Sequence, residues 1–63
     1  MRVGDLVVLK EQYKIKGVDY GMGVIISMTD YPEEGFTSHK IIWSDTDFSF
    51  HAAHELEVIS ESR

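Results

Sequence analysis

Between Lys40 and His51 the chain reads KIIWSDTDFSFH, and this stretch restricts the fold more than any other. Two short β-prone runs, Lys40–Trp43 and Phe48–His51, flank Ser-Asp-Thr-Asp, whose side chains bond nearby backbone and so favour turns. If those four residues form the loop of a hairpin, Trp43 stands opposite Phe48 and Ile41 opposite Phe50. Directly opposed residues share a face, so Ile41, Trp43, Phe48 and Phe50 are expected to make one apolar surface, with Lys40, Ile42, Ser49 and His51 on the reverse. A surface of that size must be covered, and the remaining strands are what can cover it.

Length decides how. The 63 residues make one domain, 1–63, with 60–63 expected as a frayed tail. A chain this short buries only about 60% of its unfolded surface, which leaves a thin stability margin. It contains no cysteine, so neither disulfides nor thiolate metal sites reinforce it. Reinforcement must come from closure of the sheet or from self-association. A hydrophobic content of 43% beside 27% charged residues reads as globular rather than disordered.

The net charge of −5 argues against nucleic acid, whose binders present clustered bases to phosphate. The one local concentration of bases is Lys10, Lys14 and Lys16. No apolar run approaches twenty residues and no signal peptide is read after Met1, so the expected setting is soluble and intracellular, without a membrane partner.

Val3–Lys10 reads as a first strand behind a Gly-Asp turn, with Val7 and Leu9 inward, Val3 and Leu6 closing the base, and Val8 half exposed. Glu11–Tyr20 reads as a long polar loop with Ile15 and Val18 as apolar pegs. Gly21–Met28 is the second strand, with Val24, Ile26 and Met28 on one face and Ile25 and Ser27 on the other. Its Gly-x-Gly lacks the third glycine and following helix of a dinucleotide loop, so it is read as permitting a bulge or bend. Thr29–Ser38 is a turn region around Pro32 and Gly35; Tyr31 and Phe36 flank it and either pack together, cap the core or mark a contact surface. After the hairpin, Ala52–Glu55 suits a single 3₁₀ turn, and Leu56–Ile59 a last strand with Leu56 and Val58 inward and Glu57 outward.

Read this way, the chain is all-β and five-stranded. Val3-Gly4-Asp5-Leu6-Val7, Gly21-x-Gly23-Val24, Ile41-x-Trp43-Ser44 and Glu55-Leu56-Glu57-Val58-Ile59 together make it resemble an SH3-like small β-barrel. The layout is similar to KOW-like and Tudor-like domains and to short bacteriophage proteins. The resemblance implies a five-stranded, partly open SH3-like barrel with one short 3₁₀ turn before the last strand. For a phage protein it also implies the host cytoplasm. KOW-type domains generally bind RNA or proteins, and Tudor-type domains often hold methylated side chains in aromatic cages. This chain departs from both in its acidity and in the aromatics that its third and fourth strands assign to the core.

No catalytic, cofactor or metal site is expected. His39, His51 and His54 match no ligand spacing and are read as surface residues. Ser49 and His51 share a face without an evident orienting carboxylate. A barrel this small is not expected to enclose a cleft for a small-molecule substrate. The expected function is a non-catalytic protein-interaction module, self-associating through an aliphatic patch of Val8, Ile25 and Ile42 and a free strand edge. Tyr13, Tyr20, Tyr31 and Phe36 are the loop aromatics nearest its partner. The alternative is nucleic-acid binding through the Lys10–Lys16 loop.

Overall fold

The computed structural model describes residues 1–43 and 47–61. Five antiparallel strands form one open sheet: β1 (Leu6–Leu9), β2 (Gly23–Tyr31), β3 (Phe36–Ile42), β4 (Phe48–Ala52) and β5 (Leu56–Ser60), in spatial order β4-β3-β2-β1-β5. Two 3₁₀ turns interrupt it, Glu11–Tyr13 and Ala53–Glu55, and the described residues contain no α-helix. The second turn is the one expected from the sequence; the first falls inside the polar loop.

The inner face holds the core: Val7 and Leu9 of β1, Ile25 of β2, Ile41 of β3 and Leu56 of β5, with Tyr20, Trp43 and Val58 packed against them. Leu56, Val58 and Glu57 lie as their spacing predicts, and so do Val7, Leu9 and half-buried Val8. Val3, expected to close the base, is exposed instead. Asp5 takes the buried position there, and its carboxylate accepts the backbone N–H of Arg2 at 2.8 Å. Ser60 belongs to β5 opposite Leu6 and not to a tail.

Two departures change what each face carries. First, β2 contains a bulge between Ile25 and Ser27, placing an extra residue against β3. A bulge reverses the alternation beyond it. Ile25, just before it, faces inward opposite Ile41 and is fully buried; beyond it Ser27 opposes Lys40 and Met28 opposes buried His39, and Ile26 and Met28 are exposed. Second, the β3–β4 register is one residue from the expected one: Ile42 opposes Phe48, Ile41 opposes Ser49 and Lys40 opposes Phe50. Pairing continues to a hydrogen bond from Trp43 N to Asp47 O (2.9 Å), so Asp47, expected in the turn, pairs with Trp43 instead. Ser44, Asp45 and Thr46, expected to form the turn with Asp47, lie outside the described residues, as do Ser62 and Arg63 of the expected tail.

A one-residue slip turns every side chain of a strand over. Phe48 and Phe50 therefore leave the core, and Ser49 and His51 face it beside Trp43. The indole explains why this register wins. A half-buried Trp N–H needs an acceptor, and the slip supplies Ser49 Oγ at 2.7 Å where the other register would supply a phenyl ring. The fold survives because β1, β2 and β5 fill the interior instead.

Gly23 is where the backbone passes beneath this cluster. A Cβ built there would stand 2.7 Å from Trp43 Cε3 and closer still to Ile41 Cγ2. The glycine thus serves a close approach, which side-chain loss alone makes available. At the far end, β2 and β3 extend through the region read as a turn. The chain reverses within residues 32–35, where Glu34 N and Gly35 N both donate to Tyr31 O and Gly35 takes φ +76°.

Candidate interaction surface

The register assembles an apolar stripe on the outer face. Phe48 of β4 opposes Ile42 of β3, Ile42 opposes Val24 of β2, and Val24 opposes Leu6 of β1. Directly opposed residues share a face, so these four run across four neighbouring strands. Leu6, Val24 and Ile42 are half-buried by their neighbours, whereas Phe48 is 56% exposed and Phe50, two residues along β4, is 60% exposed. The two phenyl rings meet edge to face with centroids 6.0 Å apart. The Lys40 ammonium stands over both, 4.5 Å from the Phe48 centroid and 5.9 Å from that of Phe50. The ring quadrupoles attract the cation and hold its stem along the sheet.

The same face continues to the β2–β3 tip. Tyr31 and Phe36 oppose each other there, stacked at 5.2 Å with both rings partly exposed. A groove joins Phe36 to Phe50 over Ser38 and Ala52.

Of the residues expected to meet a partner, the structure brings Val8 and Ile42 to this face and places Tyr31 and Phe36 at its end. Ile25 is corrected: it pairs with core residue Ile41 and is buried, and Val24 takes its place beside Ile42. Tyr20 is half-buried and packs edge-on against Trp43 at 5.5 Å, closing the core. Tyr13 stands apart, its exposed ring edge-on to His54 at 5.6 Å. The other register assigns Phe48 and Phe50 to the core, whereas Lys40 is expected on this face beside Ile42 and is found there. The signal that finds the two phenylalanines is the indole's need for an acceptor.

On the inner side, four groups form a hydrogen-bonded chain. Trp43 Nε1 donates to Ser49 Oγ (2.7 Å), Ser49 Oγ lies 2.6 Å from His51 Nε2, and His51 Nδ1 lies 2.8 Å from Glu55 Oε1. An indole only donates and a carboxylate only accepts, which fixes the direction at both ends. With neutral imidazole, Ser49 donates to Nε2 and Nδ1–H donates to Glu55. Glu55 is thus the orienting carboxylate that the sequence did not reveal. The order is that of nucleophile, base and orienter, but here the hydroxyl oxygen already receives the indole N–H. The physical effect of the chain is to tie β4 to the 3₁₀ turn before β5.

An open cleft of about 330 Å³ adjoins Ser49, lined also by Tyr20, Trp43 and Phe48. His39, expected on the surface, is buried and its Nδ1 donates to His51 O at 3.1 Å. Among the described residues no group of three or more His, Asp or Glu side chains is placed to hold a metal. In the polar loop, Ile15 and Val18 are exposed and peg nothing, and Lys14 pairs with Glu11 at 3.2 Å. No helix of the described residues is long and apolar enough to cross a membrane. Comparison with family models, curated proteins and solved structures finds no match to this chain.

Proposed function

We propose that the chain is a non-catalytic protein-interaction module that works through the outer face of its sheet. The observation that carries this reading is the exposure of Phe48 and Phe50 at the end of the Leu6–Val24–Ile42 stripe. Two neighbouring phenylalanines in water, continuous with aliphatics on three more strands, form the kind of patch that marks a contact site. Phenylalanine is among the residues enriched at interfaces, where large apolar rings contribute most of the buried area. Such a role suits the SH3-like barrels and short phage proteins that the sequence motifs resemble, since barrels of that kind host many binding functions on one scaffold.

Site-specific photo-cross-linking tests the proposal. With p-benzoylphenylalanine in place of Phe50, irradiation of cells expressing the chain should give a discrete protein adduct; in place of exposed Ile15 on the polar loop, it should not. Equal labelling from both positions, or no adduct from Phe50, overturns the reading.

A further inference from the structure

We infer that the outer face is completed by a second copy of the same chain, packed face to face about a two-fold axis; this inference rests on the interaction reading just proposed. A two-fold contact must be self-complementary, because each residue meets in the other copy what that copy's equivalent residue meets in return. The outer face satisfies this. Its centre is the apolar stripe, and its flanks carry opposite charges. Lys40 on β3 lies between Ser27 of β2 and Phe50 of β4, pointing away from buried His39 and Ile41. Glu57 on β5 lies beside Val8 of β1, pointing away from buried Leu56.

Within one copy these two charges do not meet. Strands β2 and β1 separate β3 from β5, a distance of about 14 Å at the usual strand spacing. Neither residue enters an ion pair with another described residue. Across a two-fold axis, Lys40 of each copy faces Glu57 of the other, giving one pair on either side of the stripe. An acidic partner would engage Lys40 but meet Glu57 as a like charge, and a basic partner would meet the reverse conflict. A second copy satisfies both. Exposed ion pairs contribute little affinity by themselves, so the stripe and the two phenyl rings supply the burial while the charges fix the register.

Sedimentation equilibrium to about 1 mM at low salt tests this. The wild-type chain should dimerise, and Phe48→Ser should remain monomeric at the same concentrations. Lys40→Glu and Glu57→Lys should each weaken the dimer about tenfold by opposing like charges, and the double exchange should return it to within about threefold of wild type. Far-UV circular dichroism of each variant checks that the strands are retained. A wild-type chain that stays monomeric overturns the inference, as does a double exchange no tighter than the single variants or a dimer indifferent to Phe48→Ser. If the chain is monomeric but Phe50 still cross-links to a different protein, the second copy fails and the interaction surface stands; if Phe50 gives no adduct either, both fail.

Discussion

Trp43 organises its surroundings through one donor and one flat ring. The N–H fixes Ser49 inward, the ring covers Gly23, and Tyr20 closes over the other edge. Gly23→Ala should therefore destabilise the fold by about 3 kcal/mol, since a methyl there meets both Ile41 and the indole; urea unfolding measures it, and a loss under about 1 kcal/mol would show that the cluster yields easily. The hydrogen bond is separable from the packing. Trp43→Phe keeps most of the ring, and a cycle with Ser49→Ala should give a coupling of about 1 kcal/mol between the two positions. A coupling near zero would mean that the indole finds water as readily as the hydroxyl.

Strands are where sequence and structure agree most and where their difference is instructive. All five were legible because β-branched and aromatic runs are bounded by turn residues; the inward set of β5 followed from simple alternation, whereas β1 is apolar on both parities and Val7 and Leu9 had to be chosen over Leu6 and Val8. The faces of β2 and β4 did not follow. At Val24, Ile25 and Ile26 three aliphatic neighbours leave no mark of which faces in, and the bulge after Ile25 reverses what comes beyond it. Around Ser44–Asp47, loops of three and four residues have the same composition, yet they put Phe48 and Phe50 on opposite faces. Only the polar end of Trp43 distinguishes them. The candidate surface was legible in part for the same reason: Ile25 sits in an all-aliphatic run of which either parity could face in, and it is the one that is buried. The β2–β3 hairpin was hidden by its turn-forming centre, although Thr29, Tyr31, Phe36 and Thr37 favour strands. Its reversal depends on Gly35 at φ +76°, so Gly35→Ala should cost about 1 kcal/mol in thermal or urea unfolding, with the core spectrum of Trp43 unchanged. An equally stable variant would show that this tip contributes nothing to the cooperative unit.

For the whole molecule, five fully or nearly buried apolar side chains make a small interior, and all three phenylalanines lie outside it. A domain of this size is marginal on its own, and covering Phe48 and Phe50 with a second copy would reinforce it without enlarging the chain. That division between a core without phenylalanine and a surface rich in it is the centre of the account. Thermal unfolding of the Phe48→Ser, Phe50→Ser double variant, at micromolar concentration where association does not contribute, tests it most directly. The account predicts a midpoint within a few degrees of wild type, as expected for exposed positions. Loss of the folded state, as truncation of buried phenylalanines at about 3–5 kcal/mol each would cause in so small a domain, would contradict it.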